Sequence, residues 1–316
     1  MKHQQSSEYV DLTDYQLHLR RLAPLQRQHA PVLMLHGVIE NSRIFYSSKG
    51  KGLGCYLADQ GFAVYCADFP GRGLSVPVVS ADFNHNQHQL ICRDIPALID
   101  QLYARYQQKI HLICHSWGGV LLVASLARFP HLLEKVQSCC YFGTKRQIKV
   151  KSIGKRWQID TLWNRLAPWL CKKYGYLPAK QLRFGADNEP AQFLLDTVQW
   201  IKPSAFTDPS DQFDYARAAQ QVVWPASWFI AGARDYILGH PTDMQLFMAE
   251  SALSHARYTL LGKAQGDAVD FDHIGMLTHP AAVHGHFPRL ASWLTAQESQ
   301  ARSAGVVGTG GLAQHH

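Results

Sequence analysis

The stretch Ile110-His111-Leu112-Ile113-Cys114-His115-Ser116-Trp117-Gly118-Gly119 constrains this chain more than any other. An apolar, β-favouring run enters Ser116, and two glycines follow almost at once. Val120 to Ala127 then reads as the start of a buried helix. A serine wedged between a strand and a helix sits on a turn too sharp for large neighbours. Such a turn lifts the hydroxyl clear of the backbone and leaves the next N–H groups at the helix start, where an oxyanion is stabilised. The strict spacing places glycine two residues before and two after the serine; here Cys114 and Gly118 hold those places. Cysteine is small enough to fit. The alternative is a serine that only caps the helix.

The flanking segments repeat one rhythm. Pro31 to Leu35 is a short apolar run ending at His36-Gly37, which suits a strand covered on both faces. Gly52 to Gly61 reads as a helix closed by glycine, and Phe62 to Ala67 as a second buried strand. That strand runs into the glycine-rich loop Asp68-Phe69-Pro70-Gly71-Arg72-Gly73-Leu74-Ser75. Gln89 to Gln107 carries Leu90, Ile91, Ile95, Leu98, Ile99 and Leu102 on one helical stripe. A further strand spans Val136 to Phe142. Strands linked over one helix length predict right-handed crossovers and a parallel sheet. Upstream, Tyr9 to Gln28 suits one or two leading antiparallel strands, with Leu17 to Leu22 the candidate.

The rhythm breaks at Gly143. From there to about Val222 the residues are helical in flavour, show no obvious strand, and include eleven aromatics from Trp157 to Tyr215. The alternation resumes at Ala226 to Ala231, ending at Gly232-Ala233-Arg234-Asp235. Another strand, Arg257 to Leu261, leads to a polar loop carrying His273, and a last helix is expected from Pro280 to about Gln297. The expected organisation is a core of residues 1–142 and 223–302, a helical cap over 143–222, and a disordered glycine-rich tail over 303–316.

Composition narrows the setting. With 47% hydrophobic and 17% charged residues, 316 residues describe a globular chain able to bury a large core. The net charge of +7 is moderate and gives no case for a nucleic-acid partner. Seven cysteines contain no C-x-x-C pair, and several lie in apolar runs where a thiol packs as a small hydrophobe. His279, His284 and His286 match no metal-ligand spacing, so neither metal nor cofactor is assigned. The opening residues Met1 to Glu8 carry no apolar h-region, and no apolar run approaches the roughly 18 residues of a spanning helix, so a reducing cytoplasm is the expected compartment.

In a sheet of this kind, functional groups collect on loops at the carboxyl ends of strands. His36-Gly37, Ser116, Asp235 and His273 all fall on such loops, the last three in the order Ser, Asp, His. Together with Asp68…Gly71-Arg72-Gly73…Ser75 and Asp272-His273-Ile274-Gly275, these features make residues 25 to 298 resemble a capped α/β-hydrolase. The resemblance is nearest to the lysophospholipase, monoglyceride lipase and serine aminopeptidase-like group. It implies a mostly parallel sheet with helices on both faces and a helical cap. It also implies acyl transfer, with Ser116 as nucleophile, His273 as base and Asp235 as the carboxylate that orients it. The backbone N–H groups of Val38 and Trp117 are the implied oxyanion donors. An aspartate nucleophile, as in dehalogenases and epoxide hydrolases, does not fit Ser116.

Rivals exist for each position. His255, His279 and His284 lie near His273 in sequence, and Asp208, Asp211, Asp267, Asp270 and Asp272 compete with Asp235. The Asp68–Ser75 loop is expected to be a structural turn that shapes the site, while Glu40 and Asn41 are placed to touch substrate or solvent. About half of the cap aromatics are expected to pack its own core and the rest to line an apolar pocket. Lys145, Arg146, Lys149, Lys151, Lys155 and Arg156 form a basic run that suits an anionic membrane surface or an anionic substrate. The expected activity is hydrolysis of lipophilic carboxylic esters, small-molecule substrates such as monoacylglycerol or lysophospholipid-like esters. A proline iminopeptidase-like activity, with Asp187, Glu189 and Asp196 holding a free amine, and a non-catalytic binding protein are the alternatives.

Overall fold

Alternation along the strands sets the architecture. In β3 (Val32–Leu35), Leu33 and Leu35 turn to one face and Val32 and Met34 to the other, and all four are fully buried. A strand apolar on both faces must be covered on both. The computed structural model describes residues 2–309 and meets that demand. Helices Ile95–Tyr106, Trp117–Arg128 and Pro241–Glu250 pack one face of the sheet. Helices Leu53–Asp59 and His286–Thr309 pack the other.

The sheet has eight strands in the order β1-β2-β4-β3-β5-β6-β9-β10. β1 (His3–Leu12) and β2 (Tyr15–Pro24) form an antiparallel hairpin, and β2 pairs antiparallel with β4 (Val64–Ala67). From β4 onward the pairing is parallel, through β3, β5 (Ile110–His115), β6 (Val136–Phe142), β9 (Ala226–Gly232) and β10 (Arg257–Leu261). The leading hairpin starts earlier than the expected Tyr9. Its first strand is mostly exposed on one side, which leaves little apolar periodicity to read.

Two helix boundaries also differ from expectation. The helix expected at Gln89 begins two residues sooner, because Asn86 and Gln89 form a reciprocal capping box. The last helix runs past Gln297 to Thr309, and Glu298 ties it down by accepting bonds from Ala30 N–H and the His111 ring. The tail expected from 303 therefore begins inside a helix, and 310–316 lie outside the described residues.

Between β6 and β9 the chain leaves the main sheet. It forms the wide-turn helix Arg156–Leu166, the helices Ala167–Tyr174, Ala191–Ile201 and Tyr215–Ala219, and a small antiparallel pair, β7 (Tyr176–Leu177) with β8 (Glu189–Pro190). No strand was expected there, since two-residue strands carry no readable period. Ala167, Leu170, Cys171, Leu177, Ala179, Leu194 and Val198 form a separate small core in this segment.

Candidate active site

Ser116 stands between β5 and the helix Trp117–Arg128 with φ of 50° and ψ of −122°, a backbone region that a side chain rarely occupies. The neighbours explain how the turn closes. A Cβ on Gly118 would sit 2.4 Å from the His36 carbonyl oxygen, and one on Gly119 would sit 2.3 Å from Thr144 Oγ1. Thr144 in turn donates to the Ser116 carbonyl at 3.0 Å. Cys114, in the place where the strict pattern has glycine, is fully buried within β5.

Two loops approach this turn. After β9, Asp235 accepts from Gly239 N–H at 2.7 Å and from His273 Nδ1 at 2.5 Å. After β10, the His273 ring packs against Gly143, where a Cβ would lie 2.7 Å from its Cε1. Ser116, His273, Val38 and Trp117 all line one cavity. The rivals are engaged elsewhere. Asp267 accepts from Gly262 N–H, Asp270 from Lys263 N–H and Asp272 from Gly275 N–H. Asp208 bonds His88 and Tyr215, Asp211 binds Arg128, and His279 accepts from Ala281 N–H.

The turn after β3 completes the wall. Gly37 N–H donates to Glu40 and Ile39 N–H to Glu189. Between them, the Val38 N–H has no acceptor among the described residues. The Trp117 N–H belongs to the first turn of its helix, where no intrahelical acceptor exists. Both expected oxyanion donors are thus free at the cavity.

An ion pair joins the buried His115 to Glu40, which itself lines the cavity. His115 Nδ1 is 2.8 Å from Glu40 Oε2, and its Nε2 is 3.1 Å from the His273 carbonyl oxygen. A carboxylate and a carbonyl only accept, so both ring nitrogens donate and the ring is a cation. Burial works against that charge, but the Glu40 carboxylate outweighs it and holds the His115 pKa above its ordinary value. Burial likewise opposes ionisation of Glu40, yet His115 pulls its pKa down to about 2. His273 behaves oppositely. Burial lowers its pKa, Asp235 raises it, and the neighbouring charges of His115 and Lys145 lower it, leaving the ring neutral at pH 7. Burial raises the pKa of Asp235, but His273 and then Lys145 bring it below the usual carboxylate range.

The cavity measures about 780 Å³, within the range of small-molecule sites. Its wall is chiefly aliphatic. Ile159, Leu162, Leu166 and Leu170 present one stripe at helical spacing, joined by Trp163 and Ala167. This corrects the expectation for the eleven aromatics: only Trp163 and Phe184 line the cavity. Phe193, Trp200, Phe206 and Tyr215 are core, whereas Trp157, Trp169 and Tyr174 face solvent. The stripe from Ile159 to Leu170 is legible in the sequence as apolar residues at helical spacing.

The remaining sequence candidates fall into place. Asp68 accepts from Ser42 N–H, Leu74 N–H and His18, so its loop is a structural turn. Asp187 accepts from Asn41 and Gly73 N–H, Glu189 pairs with Arg72, and Asp196 accepts from Gln87 N–H. None of the three lines the cavity. The basic run is not one face: Lys145 and Arg146 are buried, while Lys149, Lys151 and Arg156 are exposed.

A mostly parallel sheet with a strained serine turn, a histidine–aspartate pair at the strand ends and a helical segment above them defines the α/β-hydrolase class. Within that class the chain belongs to the family described as serine aminopeptidase, S33, whose profile matches residues 26–204. Residues in common with "Triacylglycerol lipase 1" of Arabidopsis thaliana are 31% over 134 residues, covering 39% of this chain and 34% of that lipase. The chain thus spans about a third of the length of that relative. The structure also superposes on a soluble variant of monoglyceride lipase from Saccharomyces cerevisiae, with a TM-score of 0.68 and 13% identity over 93% of this chain and 96% of that one. A thermophilic esterase from Thermogutta terrifontis gives 0.60 and 15% over 93% and 99% of the two chains.

Proposed function

We propose that this chain is a serine hydrolase of lipophilic carboxylic esters that works through an acyl-enzyme intermediate. The observation that carries the reading is that His273, hydrogen-bonded to Asp235, lines the same aliphatic cavity as Ser116. Neutral His273 takes the Ser116 proton as the hydroxyl oxygen attacks the ester carbonyl, and Asp235 stabilises the resulting cation. The free N–H groups of Val38 and Trp117 receive the oxyanion; losing such a donor typically costs about 3 kcal/mol in the transition state. His273 then returns the proton to the leaving alcohol, and water repeats the cycle on the acyl-enzyme.

Lipases and esterases among the similar proteins support an ester as substrate. The wall from Ile159 to Leu170 supports an acyl chain, and residues 143–222 act as the cap that supplies it. The iminopeptidase reading is disfavoured. Its three candidate amine-holding acids are occupied away from the cavity, and the cation there, Lys145, would repel an ammonium group. Exposed Trp157 and Trp169, with exposed Lys151, Arg156, Lys172 and Lys173, support contact of this segment with an anionic lipid surface.

A fluorophosphonate probe should label the wild type and not Ser116→Ala. A series of 4-nitrophenyl esters from short to long acyl chains, run beside proline 4-nitroanilide, should show turnover of the esters only. Retained labelling in Ser116→Ala, or anilide cleavage without ester cleavage, would overturn the proposal.

A further inference from the structure

Besides the His115 ring, the described residues include three buried lysine or arginine side chains, and two of them are fully engaged. Arg72 holds Glu189 and the Pro70 carbonyl. Arg146 holds Glu250 and the carbonyls of Trp200 and Ser204. Lys145 differs. Its residue is 4% exposed and it lines the cavity with Ser116 and His273. Yet its Nζ makes no hydrogen bond or ion pair among the described residues.

Its position on the backbone is fixed from both sides. Thr144 is bonded to the Ser116 carbonyl, and Gly143 packs on the His273 ring. Lys145 therefore leaves the chain next to both candidate reacting side chains. The surrounding acids do not close on it. Glu40 is held by His115 and Gly37 N–H, and Asp235 by His273 and Gly239 N–H. Asp243 accepts from Lys149 N–H and forms no ion pair with Lys145. Arg43 also borders the cavity and adds positive charge. Burial pushes the Lys145 pKa down to about 8 despite the more distant pull of these carboxylates. A buried ammonium left without an acceptor is costly, and an anion arriving with the substrate relieves that cost.

We propose that Lys145 receives a carboxylate or phosphate carried by the substrate, so that the preferred substrates are esters bearing an anionic group. This rests on the ester-hydrolase reading and specifies its substrate class. The ammonium forms no covalent bond; it contributes a charge-assisted hydrogen bond that a neutral ester cannot supply.

Matched ester pairs test it. Mono-4-nitrophenyl adipate against methyl 4-nitrophenyl adipate places the charge on the acyl side. 1-Butyrylglycerol 3-phosphate against 1-monobutyrin places it on the leaving group. The readout is the ratio of kcat/KM within a pair, corrected for uncatalysed hydrolysis. A variant that merely folds poorly lowers both members alike and leaves the ratio intact. In the wild type, at least one pair should favour the anion by about tenfold or more, and Lys145→Met should bring that ratio near one. A ratio near one in the wild type for both pairs, or an anion preference that survives in Lys145→Met, overturns the inference while leaving ester hydrolysis standing.

If no ester is turned over, the hydrolase reading falls separately. Titration calorimetry with monomethyl adipate then decides the matter on the Ser116→Ala protein. Binding that disappears when Lys145→Met is added supports the anion site, and no binding to Ser116→Ala, or binding that survives Lys145→Met, overturns it.

Discussion

Ser116 concentrates the conflict between stability and chemistry. A side chain at φ of 50° is strained by roughly 1–3 kcal/mol, which glycine would relieve. Ser116→Gly should therefore raise the free energy of unfolding by about 1 kcal/mol, read as a higher urea midpoint, and abolish ester turnover. Glu40 and His115 show a second tension. Glu40→Gln removes the counter-charge of a buried cation and should cost roughly 3 kcal/mol of stability. The sign of its pH dependence follows from the two shifts. Glu40, depressed to about 2, gives stability present above its ordinary pKa and lost only in strong acid. His115, raised, gives stability present below about 6.5 and lost as pH rises through its elevated pKa. The penalty of Glu40→Gln should be largest between about pH 4.5 and 6.5 and shrink in alkali; urea titrations at pH 5.5 and 9 check it. Ser116, Asp235 and His273 were visible in the sequence because each follows a strand. The Glu40–His115 pair was not, because its partners lie 75 residues apart and only the pairing of β3 with β5 joins them.

At the scale of elements, the wide-turn helix Arg156–Leu166 and its continuation carry the aliphatic stripe of the cavity wall. Leu162→Trp should fill the middle of the cavity and shorten the preferred chain. Each methylene denied burial is worth about 0.8 kcal/mol, so excluding three should lower the long-to-short ester ratio of kcat/KM by roughly fiftyfold. Further along the 143–222 segment, Arg72 pins β8 and the helix Ala191–Ile201, its guanidinium pairing with Glu189 of β8 and lying 4.3 Å from the centroid of Phe193. Arg72→Met should destabilise the protein by about 3–5 kcal/mol, read by thermal or urea unfolding, because it strands a buried carboxylate. The strands of the main sheet were legible from their continuous apolar runs. Buried polar ties such as this one were not: in the sequence Asp187 and Glu189 are candidate amine-holding acids, and only the fold brings Asn41, Gly73 and Arg72 to them.

At the scale of the whole molecule, charge is distributed by depth. Basic groups at the surface of the 151–173 segment face outward with exposed tryptophans, whereas those inside bias the site. Hydrolysis of esters in anionic vesicles should fall as salt rises from about 50 to 500 mM, while hydrolysis of a dispersed short ester should not. The lowered pKa of His273 should place the acid limb of kcat/KM for neutral esters below pH 6.5, as a pH–rate profile would read. The general layout was legible because hydrophobic rhythm determines layers. The division of one basic run into buried and exposed members was not, since charge along a chain says nothing about depth.

The His115 imidazolium grips the turn after β3 through Glu40 and the loop after β10 through the His273 carbonyl. The turn that carries Val38 and the loop that carries His273 are thereby tied to the serine turn as one bracket. The helix Arg156–Leu166, whose Ile159, Leu162 and Trp163 also line the cavity, makes no hydrogen bond to either loop among the described residues. Amide exchange should accordingly be slow and synchronous at 36–40, 114–117 and 272–274, and fast across 151–166.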